Sequence, residues 1–348
     1  MLLLAQAPPP LLTTVPTRDQ KIVRRWSLGG DPHGIALGNG GVAYIGLAKT
    51  QEIVAVDAKR GNVLRRIVLD SAEIASTKEL VTMRTNRDRT RLYVANGSDE
   101  SASILSLPNL GIVREITMEG EAIRDVLPDP AGRYLYLLGR KVHVFDAQGE
   151  HEIRTINLSD PMAIATTSNG AVLAVIGSET FGGNKATVAA LYDTKTFTEL
   201  ARDPMQTDDV IESALFAAND RALVAASRQR LFEKHLDVTA KQMSEGPKGQ
   251  MRMSIDYGDL VSSDQICLPE KSGAQIVVRG NGNLVLFAER RCNSSGGFAG
   301  AERRIVPASL YGVDAYALAF DPAANELYAT DRAGYLTIYR VPRAATTK

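Results

Sequence analysis

The chain has 348 residues, 44% of them apolar and 23% charged, with 40 basic side chains balanced by 40 acidic ones. A zero balance leaves no basic footprint for nucleic acid, because neutralising phosphates takes an excess of Lys and Arg. No apolar run reaches the ~18–20 residues of a membrane-spanning helix, and the apolar content is too high for a disordered chain.

The first residues read Met1-Leu2-Leu3-Leu4-Ala5-Gln6-Ala7. Ala5-Gln6-Ala7 has the small-x-small form of a secretory cleavage site, and Leu2 to Leu4 have the character of the end of an apolar signal core. Residues 1–17 are therefore expected to be a remnant signal peptide followed by a Pro- and Thr-rich extended tether. Residues 18–343 are expected to form one domain and 344–348 a disordered tail.

Within that domain one unit recurs. It consists of a short apolar strand, a polar turn, a second strand with Tyr near its start, a third strand ending in Asp, and a fourth after a Gly- or Thr-containing turn. The clearest copy runs from Pro32 to Leu69, with VAYIG, EIVAVD and VLRRIVL as its second to fourth strands. Later copies contain RLYVANGSD, GRYLYLLG, GAVLAVIG, DRALVAAS, GNGNLVLFAE and NELYATD. Tyr44, Tyr93 and Tyr136 are 49 and 43 residues apart, within the ~40–50-residue period of a propeller blade. Alternation such as Val142-His143-Val144-Phe145-Asp146 has the period of two of a strand, and no long helical periodicity competes with it. The last copy stops after its third strand. Residues 21–28 (KIVRRWSL) match the fourth-strand segments but precede the first copy, so they are expected to complete the last blade. The expected fold is all-β: a seven-bladed β-propeller closed by an N-terminal strand.

Arg91-Leu92-Tyr93-Val94-Ala95-Asn96, Pro32-His33-Gly34-Ile35-Ala36 and Val54-Ala55-Val56-Asp57 resemble the YVTN-type β-propeller repeat of bacterial secreted and surface proteins. The resemblance runs from about residue 18 and is weakest in copies five and six. It implies a seven-bladed propeller and leaves function wide, from surface-layer components to lactonase-like enzymes and propellers of electron-transfer systems.

Catalytic signatures are scarce. His-Glu-x-x-His, P-loop and G-x-S-x-G patterns are absent. Gly280-Asn281-Gly282 lacks the third glycine and the helix of a dinucleotide loop and reads as a hairpin turn. The four histidines, His33, His143, His151 and His235, have no ligand spacing, so no metal or cofactor is expected. His33 starts a first strand, where a side chain can reach a central channel; Arg124, Met162, Glu212 and Tyr316 are its approximate counterparts. A mixed ring of His33, Arg124, Glu212 and Tyr316 is the candidate ligand site, with local packing the competing reading of His33. The charged stretch Arg84–Arg89 reads as a solvated loop.

Long connections are expected at 178–186, 241–272 and 290–300, all on the face that carries the lead-ins to first strands and the turns between second and third strands. The expected function is a non-catalytic extracytoplasmic binding or scaffold module. It would take a protein, glycan or small-molecule ligand on that face, with neither nucleic-acid binding nor a membrane span. A lactonase-like hydrolase at the channel mouth is the alternative.

Cys267 and Cys292 flank the hairpin expected around Gly280–Asn283, so antiparallel pairing brings both to the same end, within reach of the ~5.5–6 Å Cα separation of a disulfide. Such a bridge would contribute about 3 kcal/mol and fits a periplasmic or extracellular location. Thiol titration of denatured, non-reduced protein from its native compartment is expected to find no free thiol; two free thiols would refute the bridge.

Overall fold

The computed structural model describes residues 13–14, 22–69, 82–97, 100–205, 210–217, 220, 222–227, 230–237, 242–245, 253–254, 276–280, 283–287, 315–321, 323–324, 326–331 and 333–340. Apart from a single 3-10 turn at Asn39–Gly41, the described elements are β-strands. They form small antiparallel meanders, the architecture of a β-propeller. The first sheet contains Pro32–Leu37, Val42–Leu47, Glu52–Asp57 and Asn62–Val68. The second contains Thr82–Thr85, Arg91–Ala95, Ser101–Ser106 and Gly111–Thr117. The third contains Asp125–Pro128, Tyr134–Leu138, Val142–Asp146 and Glu152–Ile156. The fourth contains Ala163–Thr166, Val172–Phe181, Asn184–Asp193 and Glu199–Pro204. The fifth contains Ile211–Ala217, Ala222–Ser227, Arg230–Asp237 and Gln242–Glu245. A sixth pair, Ile276–Gly280 with Asn283–Phe287, is the expected hairpin. The seventh sheet joins Ala315–Asp321, Glu326–Asp331 and Tyr335–Arg340 to Ile22–Ser27 and Thr13–Thr14.

The strand Ile22–Ser27 pairs with Tyr335–Arg340, running from Ile22↔Tyr339 to Ser27↔Tyr335. Its register slips between Ile22 and Arg24. The same irregularity separates third and fourth strands in the first four sheets. A bulge there bends and twists the outer strand, so residues 22–27 behave as a fourth strand lacking its own first three. Thr13–Thr14, expected in the tether, adds backbone pairs to its outer side.

Alternation decides the packing. In the second strand of the first sheet, Ala43, Ile45 and Leu47 face a cluster shared with Tyr328, Leu336 and Ile338 of the seventh sheet, while Tyr44 faces one shared with Leu92, Val94 and Leu105 of the second. Further clusters join the second sheet to the third, the third to the fourth and the fourth to the fifth. Tyr44, Tyr93, Tyr136 and Tyr328 all lie buried in these seams, which explains why the repeat retains an aromatic near the start of its second strand. The Asp that ends the third strand has a local task. Asp57, Asp146 and Asp193 accept hydrogen bonds from backbone N–H groups of the turns that follow. Without those acceptors the turns would leave the N–H groups unpaired.

Two expectations require correction. Residues 178–186 are not a loop: the central strands of the fourth sheet run ten residues each to a two-residue turn at Gly182-Gly183, with pairing continuous to Phe181↔Asn184. Positive φ at both glycines, 54° and 87°, suits a tight hairpin turn that side-chain-bearing residues adopt poorly. The expected insertion at 241–272 begins with Gln242–Glu245, which is the fourth strand of the fifth sheet. The 290–300 connection, Cys267 and Cys292 lie outside the described residues.

Trp26, the single tryptophan of the chain, is buried between the seventh and first sheets and donates its Nε1–H to the Ala58 carbonyl at 2.9 Å. Gly61, at φ 75°, lies under the indole: a Cβ there would sit 2.6 Å from Cζ3. Trp26→Ala is expected to cost about 3–5 kcal/mol, and Gly61→Ala about 2 kcal/mol through its left-handed backbone and the clash. Urea denaturation followed by circular dichroism, and by Trp26 fluorescence in the Gly61 variant, tests this; an unchanged midpoint in both variants would remove the seam from the stability of the fold.

Candidate functional site

In a meander the turns between first and second strands, and between third and fourth, open on one face. The lead-ins and the turns between second and third strands open on the other. The first of these faces is tied up from sheet to sheet. Arg89 Nη1 donates to the Gly38 carbonyl at 2.8 Å, so this part of the stretch expected to be solvated is a structural clasp. Arg133 Nη2 donates to the Gly170 carbonyl at 2.6 Å and to Thr194 Oγ1 at 3.0 Å, while its Nε binds the buried Asp129 carboxylate at 2.9 Å. Ser168 donates from its backbone and hydroxyl to Asp220.

The second face carries a cleft of about 380 Å³ lined by Ala122, Arg124, Gly139, Arg140 and Asp160. It forms where the turn Gly139–Lys141 of the third sheet meets the lead-in of the fourth. Glu121 secures that turn, its Oε1 accepting the backbone N–H groups of Arg140 and, at 3.0 Å, Lys141. A Cβ at residue 139 would collide with the Glu121 carboxylate, so glycine is what lets the carboxylate reach the turn. Beneath it the buried His143 is clamped between two acids, with Nε2 3.2 Å from Glu121 Oε2 and Nδ1 2.8 Å from Glu152 Oε1. Each ring nitrogen of His143 thus has one of the two acids within hydrogen-bond distance. Burial alone would raise the Glu121 carboxyl, but the turn N–H groups and His143 outweigh it and hold it below its ordinary value of 4.5. Glu152 is likewise lowered against burial, by hydrogen bonds from Thr155 and His143.

Arg124 forms the opposite wall. Its Nη2 donates to the Gly139 carbonyl at 2.6 Å and to the Pro161 carbonyl at 2.5 Å, tying the third sheet to the fourth. Asp160, at the rim, receives Lys185 Nζ of the long hairpin at 2.9 Å. That hydrogen bond, more than any other effect, holds its carboxyl below the ordinary range. Arg202 braces the hairpin between Glu179 and Glu199.

Among the sequence candidates, Arg124 lines the cleft. His33 is buried, 8% exposed, with Nε2 3.3 Å from Asp31 Oδ2 and its carbonyl accepting from Thr330 Oγ1. Glu212 and Tyr316 occupy by backbone the second positions of Ile211–Ala217 and Ala315–Asp321. His33, Glu212 and Tyr316 all fall where the pairing of a first strand slips, a feature that re-aims side chains. Only His33 and Tyr316 are on adjoining first strands. Glu121, Arg140, Asp160 and Lys185 were not singled out from sequence; the paired cations in the turn Gly139-Arg140-Lys141 were the available signal. No group of three or more His, Cys, Asp or Glu among the described residues is placed to hold a metal ion.

No protein-family model matches the chain, and no curated protein matches it. Solved structures do. A chain of the crystal structure of a mitotic checkpoint complex aligns with a TM-score of 0.65 at 14% identity, covering 98% of each chain. A chain of hydrazine synthase from Kuenenia stuttgartiensis aligns with a TM-score of 0.66 at 14% identity, covering 94% of this chain and 100% of that one. At such identity the likeness is one of fold, and it agrees with the propeller-like run of small sheets.

Because the Glu121 and Glu152 carboxyls are lowered on folding, the stability they lend is present above pH 4.5 and is lost as pH falls through their lower folded values. Glu121→Gln is expected to cost about 1–3 kcal/mol at neutral pH, by leaving His143 and the turn N–H groups poorly matched. The difference from the parent should shrink in acid, where both proteins carry a neutral group there. Denaturation midpoints measured across the acid range would show a pH-independent gap if the residue were merely a packing element.

Proposed function

We propose that this chain is a seven-bladed β-propeller of the YVTN type, its ring closed by Ile22–Ser27, that works outside the cytoplasm as a non-catalytic binding or scaffold module. Its ligand, a protein, glycan or small molecule, docks on the face of the long hairpin, the cleft, the stretch after Glu245 up to residue 272 and the 290–300 connection. The observation that carries this reading is a difference between the two faces. Both carry clasps from sheet to sheet, Arg89 with Gly38, Arg133 with Gly170 and Ser168 with Asp220 on one, and Arg124 with Pro161 on the other. Among the described residues it is the second face that also projects a paired ribbon past the body of its sheet and sets a charged cleft at its foot. Rigid sheets with a projecting hairpin present a fixed surface, so binding costs little conformational entropy. Seven sheets among the described strands, with first strands adjoining in chain order and that of the seventh adjoining that of the first, support the blade count and closure. The export motif at Ala5–Ala7 and the cysteine pair support the location. A neighbour that belongs to a checkpoint complex supports a protein partner. His33, Arg124, Glu212 and Tyr316 complete this reading as residues around the axial opening.

Deleting Glu179–Phe181 and Asn184–Ala186 would join Ser178 to Thr187 through the same two-glycine turn and leave the sheet below it paired. Partner recovery from envelope extracts, compared across the parent, this variant and Arg60→Ala/Lys195→Ala on the clasped face, tests the assignment. The shortened hairpin should abolish recovery with an unchanged circular dichroism spectrum, and the double variant should retain it. The reverse result would assign binding to the other face.

A further inference from the structure

The cleft beside the long hairpin has a chemistry that the reading above leaves undefined. Five lining residues are Ala122, Arg124, Gly139, Arg140 and Asp160. The only acid among them, Asp160, is paired with Lys185 at 2.9 Å and also feels the Arg124 charge. Two guanidinium groups and an ammonium thus share one carboxylate at this opening, in a chain whose overall charge is zero. Arg124 spends both hydrogens of Nη2 on the Gly139 and Pro161 carbonyls. Its Nη1 and Nε, three donors in all, have no partner among the described residues, and neither does the side chain of Arg140. Neither arginine is randomly displayed. The two carbonyls fix the plane of the Arg124 guanidinium, and Glu121 fixes the backbone from which Arg140 projects. Preorganised planar donors in a recess of about 380 Å³ match the oxygens of a carboxylate or a phosphate, which guanidinium groups hold through paired N–H···O bonds. The volume lies in the range of small-molecule sites.

We infer that the Arg124–Arg140 cleft binds a small oxyanion-bearing metabolite, gripped by the unused N–H groups of both arginines, at the foot of the hairpin. This inference rests on the binding-module reading for its place on the molecule and goes beyond it in naming the ligand chemistry. Carboxylate and phosphate share the recognition, so the test separates them. Isothermal titration of the full chain with citrate and, separately, with inorganic phosphate is expected to give saturable one-to-one binding to at least one of them. The stronger of the two identifies the class of anion. Arg140→Ala should weaken that binding about tenfold or more, since it removes a charge-assisted contact, and Arg140→Glu should abolish it. Arg60→Ala, on the clasped face, should leave it unchanged. Arg140 is exposed at a turn whose hold on Glu121 runs through backbone atoms, so both variants are expected to fold, and circular dichroism verifies it. No saturable binding of either anion, or equal affinity in the parent and both Arg140 variants, would overturn the inference. Loss of partner recovery on hairpin shortening would still stand in that case, so the two proposals fail separately.

Discussion

The antiparallel pairing of Ile22–Ser27 with Tyr335–Arg340 is the contact on which the arrangement of the chain depends. A short meander is marginal alone, because its apolar faces stay wet and its outer strands expose unpaired backbone. Here the first five sheets bury faces against their sequence neighbours, and the seventh against the first. The seventh sheet can do so only by borrowing its fourth strand from the start of the chain. The residue that makes this exchange specific is Trp26. Its ring fills the seam over Gly61, and its N–H finds the Ala58 carbonyl. A smaller version of the same contact recurs between Ile116 and Gly149, the second and third sheets. The seam that joins the two ends is thus built like the others, with a larger plug.

A stack of similar sheets needs its spacing fixed at the rim as well as in the core. Apolar side chains set how closely sheets approach but are indifferent to small sliding motions. Hydrogen bonds between turns supply the direction. The Asp129–Arg133–Gly170–Thr194 chain crosses from the third sheet to the fourth, with the Asp129 side chain fully buried and its charge met by Arg133. Removing Arg133 would strand the buried Asp129 charge. The opposite rim has a tie of its own in Arg124, and it is there that the fourth sheet lengthens its central strands.

The cleft shows how a binding geometry can arise from structural demands. Gly139 is needed because Glu121 must reach the turn, Glu121 is held by His143, and Arg124 spans two sheets through carbonyls. Each of these contacts serves the fold, and together they leave two arginines lining one cleft with donors to spare. Electrostatics in a site of this kind gains from rigidity, since the donors need not be reordered when an anion arrives.

Much of this organisation was legible in one sequence. The repeat period, the Tyr positions now seen in the seams, the hairpin at 276–287 and the pairing of residues 22–27 with the last sheet all follow from periodicity and from one missing strand. These are local or one-dimensional properties, because alternation sets which side chains face a neighbour and turn residues set where the chain reverses. The hairpin at 172–193 escaped that reasoning: polar residues such as Ser178, Glu179 and Lys185 read as loop, yet their backbone pairs continuously because two glycines permit a tight reversal. Likewise the cleft depends on Arg124, Arg140 and Asp160 converging from different segments, and on which donors the neighbouring carbonyls consume. Sequence determined the strands, their order and the meeting of the two chain ends, since those rest on spacing along the chain. Which side chains converge at the cleft, and which of their donors remain free, was decided only when the sheets packed, because those contacts form between residues that no spacing rule connects.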